Sequence, residues 1–174
     1  MTEQVKNAVI QQLNVSYVAD EDRLLLRIGM SNQTELAVWL TYRATRQVAE
    51  VLQSTPISVP SDERVNTPYN QALEQQFVKQ EMTQTLNFKD EYQERELLNR
   101  EQVFLVRDCR VVAQDGKFVL DLFCVNQQVV SLALNNTLLL GLSSMLQKAC
   151  WSAQWHLVVS EQSLLSSGSI NLLH

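Results

Sequence analysis

Residues 15–52 read VSYVADEDRLLLRIGMSNQTELAVWLTYRATRQVAEVL, and the spacing of their apolar side chains changes period once. Val15, Tyr17 and Val18 lead into a polar corner at Asp20, Glu21 and Asp22. Leu24, Leu26 and Ile28 then alternate, a second corner follows at Ser31, Asn32 and Gln33, and Leu36, Val38 and Leu40 alternate again. A period of two puts every second side chain on one face of a strand, so the stretch predicts a three-strand meander with one face buried. At Thr41 the period lengthens. Thr41 is an N-cap type, and Ala44, Val48, Val51 and Leu52 follow at i, i+4, i+7 and i+8, the stripe of an amphipathic helix that stops before Pro56.

Residues 109–146, CRVVAQDGKFVLDLFCVNQQVVSLALNNTLLLGLSSML, repeat this order. Val111 and Val112 precede a hairpin signal at Asp115-Gly116. Phe118, Leu120 and Leu122 alternate, Asn126-Gln127 makes the corner, and Val130, Leu132 and Leu134 alternate. Asn135 takes the cap position before a helix carrying Leu138, Leu142, Met145 and Leu146. A shift of 94 residues aligns Val18 with Val112, Ala19 with Ala113, Leu26 with Leu120, Asn32 with Asn126, Gln33 with Gln127, Leu40 with Leu134 and Leu52 with Leu146, without a gap. The expected architecture is α+β: two related β-β-β-α units packed together, since one meander with one helix leaves two sheet edges and a thin core. The units span 1–53 and 103–150 of one compact domain.

Between them, residues 54–102 differ in composition. Pro56, Pro60 and Pro68 mark a loop, and a Gln-, Glu- and Arg-rich run then predicts helices over about 69–86, through Ala72, Leu73 and Phe77, and about 90–100, through Leu97 and Leu98. After the second unit, residues 151–174 hold Trp151 and Trp155, a final strand predicted from His156 to Val159, and a Ser-rich tail.

The 174 residues carry 14 Lys+Arg against 19 Asp+Glu, a net charge of −5, with 45% hydrophobic residues, which sets the chain among ordinary globular proteins and disfavours nonspecific coating of DNA. With no apolar run near the roughly 20 residues of a membrane span, and no basic segment followed by an apolar one at the start, the expected home is the cytoplasm and no membrane partner is expected. Cys109, Cys124 and Cys150, odd in number and set among Val, Leu and Phe, read as reduced, partly buried thiols. No dinucleotide, P-loop, zinc-protease or hydrolase motif is present, and His156 and His174 are the whole histidine complement. No catalytic residue, metal ligand or cofactor is expected, and the acids at 20–22 read as a solvated corner.

If Leu24, Leu26 and Ile28 face the helix, Arg23, Leu25 and Arg27 share the opposite face with Ala37 and Trp39. Arg43 and Arg46 lie close by at the helix start. Arginines beside a tryptophan on a sheet can hold unstacked bases through stacking, cation–π contact and phosphate pairing. The alternative is that Leu25 and Trp39 pack against the other half of the molecule or a second subunit, because so apolar a face is poorly suited to water.

Two meander-then-helix segments, over residues 14–53 and 103–150, resemble the whirly, PUR-repeat and PC4-like group of single-stranded nucleic-acid-binding proteins, in which sheets followed by a helix are duplicated or paired by dimerisation. Those families carry four strands per unit and basic, motif-bearing strands, against three strands per unit here. The stretch Leu24-Leu25-Leu26-Arg27-Ile28, with Val38-Trp39-Leu40-Thr41 and Arg43, also resembles small uncharacterised bacterial proteins. The leading expectation is a non-enzymatic protein that forms a homodimer and binds a protein partner. The alternative is single-stranded nucleic-acid binding through Arg23, Arg27, Trp39, Arg43 and Arg46.

Overall fold

The computed structural model describes residues 9–57, 91–114 and 117–157. Strands β1 (Ile10–Val18), β2 (Arg23–Met30) and β3 (Thr34–Leu40) form an antiparallel meander, followed by helix α1 (Tyr42–Ser54). After the two-residue β4 (Glu96–Leu97), a second antiparallel meander consists of β5 (Phe104–Gln114), β6 (Lys117–Cys124) and β7 (Val129–Leu134), followed by helix α2 (Asn136–Ser152). Among the described residues the protein is thus a mixed α+β fold with one seven-stranded sheet and two α-helices. The strand order is β1-β2-β3-β5-β6-β7, with β4 also paired to β3.

The alternation at both meanders sorts side chains as expected. Leu24, Leu26 and Ile28 of β2, Leu36, Val38 and Leu40 of β3, Leu120 and Leu122 of β6, and Leu132 and Leu134 of β7 are all buried in one core beneath the helices. The caps hold as well: Thr41 Oγ1 accepts from Ala44 N at 3.3 Å, and Asn135 Oδ1 from Leu138 N at 2.8 Å. Both inner corners turn on an Asn-Gln pair. Asn32 Oδ1 accepts from Thr34 N and Asn126 Oδ1 from Gln128 N, each at 3.2 Å, while Gln33 and Gln127 take left-handed backbone with φ of 63° and 66°. The side-chain carbonyl stands in for a backbone acceptor two residues on, which is the chemistry that suits Asn to turns. The first strand of each meander, β1 and β5, carries a bulge, between Ile10 and Gln12 and between Val106 and Asp108.

The helices cross over. α1, which leaves β3, packs chiefly on β5, and α2, which leaves the far edge strand β7, packs chiefly on β1 at the opposite edge. The sheet must therefore curve around the two helices, which also touch each other. On α1 the buried side is Ala44, Thr45, Val48, Ala49 and Leu52, with Val51 only half-buried, so the stripe is turned toward Thr45 and Ala49 relative to the sequence reading. On α2, Leu139, Leu140, Leu142, Leu146, Ala149 and Cys150 are buried, and Leu138 and Met145 flank them.

Three expectations fail. The gap-free alignment of the two segments breaks in their first strands: Val18 lies opposite Arg23 where Gln114 lies opposite Lys117, so Val18 matches Gln114 rather than Val112, and the first hairpin loop is two residues longer than the second. Residues 91–100 are not helical: the segment is extended, contributes β4, and ends in a turn. Its Leu97 and Leu98 gave a weak helical reading, but the backbone is claimed by β3, with Glu96 N donating to Gln33 O at 3.2 Å and Leu98 N to Glu35 O at 2.9 Å. His156 and Leu157 belong to no strand; the backbone turns at Gln154, with φ of 57°, and Trp155 folds back onto the core. The helix expected over 69–86, the Asp115-Gly116 turn and residues 158–174 lie outside the described residues.

Candidate functional site

The sheet face away from the helices differs between its two ends. Across β1, β2 and β3 the outward rungs are Gln12–Gly29–Glu35, Asn14–Arg27–Ala37 and Ser16–Leu25–Trp39, with Val18–Arg23 beyond. The extended segment 91–99 lies across the first two rungs like a strap. Glu35, fully buried, is its anchor. The Arg27 guanidinium meets Glu35 Oε1 through Nη2 at 2.7 Å and Nε at 2.8 Å, and Tyr92 donates its hydroxyl to Glu35 Oε2 at 2.7 Å. Arg27 also reaches Glu94 at 3.3 Å and lies 5.1 Å from the centre of the Tyr92 ring. A carboxylate taken out of water is tolerable only with both oxygens engaged, and here both are.

Gly29 makes the close approach feasible. A Cβ added there would sit 3.3 Å from both Tyr92 Oη and Arg95 Nη1. Arg95 donates through Nη1 to the Met30 carbonyl and through Nη2 to Gln11 Oε1 at 3.0 Å. Burial, the hydrogen bond to Glu35 and its negative charge together raise the Tyr92 pKa well above the ordinary phenol value, keeping Tyr92 a donor.

Asn99 mends the ladder. Between the β4 pairing at Thr34 and Glu35 and the β5 pairing at Val38 and Trp39, the edge of β3 at Ala37 faces no backbone partner. The buried Asn99 amide fills that gap, accepting from Ala37 N at 3.1 Å and donating to Ala37 O at 2.7 Å.

The five residues singled out from the sequence divide. Arg23, Arg27 and Trp39 share the outer face of the first meander, as their parity required. Arg23 stands 3.7 Å from Glu21, and Arg27 is held by Glu35, Glu94 and Tyr92. Trp39 is half-buried on a rung between Leu25 and Leu105 of β5. Arg43 and Arg46 ride on α1, where both are exposed and Arg46 pairs with Glu50 at 3.5 Å.

The outer face of β5-β6-β7 carries no such strap among the described residues. Its rungs are Asp108–Phe123–Val129, Arg110–Asp121–Ser131 and Val112–Val119–Ala133. The middle rung is a closed polar set: Arg110 Nε lies 2.9 Å from Asp121 Oδ2, and Ser131 donates to Asp121 Oδ1 at 2.6 Å. Arg110 also sits 5.2 Å from the Phe123 ring centre. Around it the face is mainly apolar, with Val112 45% and Val129 39% exposed and Val119 and Phe123 half-buried, while exposed Asp108 and the Gln114–Lys117 rung lie toward its ends. Where the first meander puts Gly29 opposite Glu35, the second puts Phe123 opposite Val129.

Sequence reasoning missed Glu35, Tyr92, Arg95 and Asn99. Glu35 had a readable signal, an acid in phase with Ala37 and Trp39 and one residue out of phase with the apolar Leu36, Val38 and Leu40; the strap residues had none. Elsewhere Trp155 stands edge-on to Tyr17 at 5.8 Å and to Tyr42 at 5.5 Å, clamping the end of α2 against β1 and the start of α1. All three cysteines are free, and burial pushes the Cys109 and Cys150 thiols up to about 11. Among the described residues no helix is long and apolar enough to cross a membrane, and no three His, Cys, Asp or Glu side chains gather as metal ligands would. Comparison with protein-family models, curated proteins and solved structures gave no match.

Proposed function

We propose that this is a non-enzymatic cytoplasmic binding protein that self-associates and docks a protein partner on the outer face of β5-β6-β7. The observation that carries this reading is the contrast between the two outer faces. One is occupied by the chain's own strap; the other presents Val112, Val119, Phe123 and Val129 around a charge pair that is already neutralised, with Asp108 and Lys117 at its rim. Apolar surface with its polar groups internally satisfied gains by contact with another apolar surface and gives little purchase to a charged ligand. Sedimentation velocity over a range of micromolar concentrations tests self-association: a dimer is expected, and a monomer throughout refutes it.

Nucleic-acid binding through Arg23, Arg27, Trp39, Arg43 and Arg46 is the weaker reading, because Arg27 has its donors committed to Glu35 and Glu94. Labelled single-stranded DNA and RNA at low salt are expected to show no binding; salt-sensitive binding abolished by Arg27→Ala with Trp39→Ala would reverse the order. The pairing of the two meander-helix segments as copies of one ancestral unit is supported by the matching bulges, the Asn-Gln corners with left-handed Gln33 and Gln127, and the capped helices.

A further inference from the structure

We infer that β7 is the dimer edge, pairing antiparallel with β7 of a second copy about a two-fold axis at Ser131; this rests on the self-association proposed above. The two ends of the sheet are guarded very differently. β1 carries a bulge, is half-buried along nearly its whole length and is covered by α2. β7, Val-Val-Ser-Leu-Ala-Leu, has no charge, no proline and no register shift, and among the described residues no strand pairs with its outer side. Proteins that keep an edge strand solitary blunt it with charges, prolines or bulges, so a straight, uncharged edge is a pairing surface.

The backbone fixes which residues are available. Cys124 N donates to Gln128 O at 2.9 Å across the β6–β7 turn. In an antiparallel ladder alternate residues point their N–H and C=O to the same side, so Val130, Leu132 and Leu134 bond to β6 while Val129, Ser131 and Ala133 present theirs outward. A two-fold axis at Ser131 sets Ser131 against its own copy and Val129 against Ala133 in both directions. That register gives three double-bonded rungs, and a shift of two residues either way loses one.

The occupant is a second copy rather than an unrelated strand, because two-fold self-pairing sets the axial residue, Ser131, against its own copy and repeats every other rung in both directions. A charge on the axis would face a like charge. β7 has none, on a chain whose net charge of −5 otherwise repels its own kind. The exposed side chains also match, small Ala133 beside Val129, and the pairing carries the Phe123–Val129 rung into the Val119–Ala133 rung of the other copy.

Cysteine placement reads the register directly. With oxidised glutathione, Ser131→Cys is expected to form a disulfide-linked dimer by itself, whereas Val129→Cys and Ala133→Cys cross-link only when the two variants are mixed. Wild type, with Cys124 and Cys150 buried and Cys109 half-buried, is the uncross-linked control. The 129 and 133 pair leaves the Ser131–Asp121 hydrogen bond intact, so loss of that bond cannot explain a failure. A dimer in sedimentation with this pattern supports the edge. A dimer without it overturns the edge while leaving self-association standing, and a wild-type monomer overturns both.

Discussion

Replacing Asn99 probes the join between the two meanders. Its amide satisfies both the N–H and the C=O of Ala37 where neither β4 nor β5 reaches, and the site is buried. Asn99→Ala leaves two backbone groups without partners. Each forfeited hydrogen bond that strands a buried group costs about 1–3 kcal/mol, and with some water entering the vacated space the sum is about 2–4 kcal/mol. Urea unfolding followed by far-ultraviolet circular dichroism should show the midpoint falling with the slope unchanged. Asn99→Asp gives a sharper reading. At neutral pH the carboxylate still accepts from Ala37 N but sets a negative charge against Ala37 O, so it should be at least as damaging as alanine. Protonated, the acid is nearly isosteric with the amide and donates again. Its folded pKa is therefore raised above the unfolded value of about 3.9. Stability is then fully present below about pH 4 and lost as pH rises through the higher folded value. Measured as a difference from wild type across pH 4–7, Asn99→Asp should recover on acidification while Asn99→Ala stays flat. A cost below about 0.5 kcal/mol for alanine, or parallel profiles for the two variants, would refute the ladder-mending role.

Three further outcomes follow from the strap and the core. Glu35→Ala leaves the Arg27 guanidinium and the Tyr92 hydroxyl without their carboxylate and should cost about 3–5 kcal/mol, whereas Arg27→Leu with Glu35→Leu should recover most of that loss in denaturant melts. Because Tyr92 is held neutral by a raised pKa, its contribution is complete below the ordinary phenol value of about 10 and fades as pH climbs beyond it; Tyr92→Phe should be less stable than wild type at pH 8 and the gap should narrow in alkali. The thiols of Cys109 and Cys150, pushed up to about 11 by burial first of all, should react slowly with a thiol-specific chromogenic reagent at pH 8 and rapidly in urea; prompt titration of the native protein would contradict their placement.

Parity explains what could be read from the chain. Leu24, Leu26 and Ile28, or Leu120 and Leu122, must all lie on one face once the strand is extended, and a buried face selects apolar residues, so both meanders and both caps were visible. The parallel pairing of β3 with β5, which welds them into one sheet, rests on backbone groups at Val38 and Trp39 opposite Phe104 and Leu105 and writes no side-chain pattern. The strap was invisible for a related reason. Tyr92, Arg95 and Asn99 each act as a single anchor, reaching a carboxylate, a carbonyl and an amide edge on another element, and isolated anchors have no period to detect. The face of Arg23, Arg27 and Trp39 was correctly gathered, yet its electrostatic state depended on Glu35 and Glu94, one of them brought in from the strap.

The crossed helices impose an order on synthesis. As the chain emerges from the ribosome, β1 appears first but the helix that covers it, α2, comes only after β7 is complete. Leu13, Val15 and Tyr17 must therefore wait with their inner sides bare until nearly the whole sheet exists, and α1 likewise waits for β5. The first meander cannot reach its final form before α2 has emerged, so the nascent protein has a prolonged vulnerable interval and closes through late, long-range contacts.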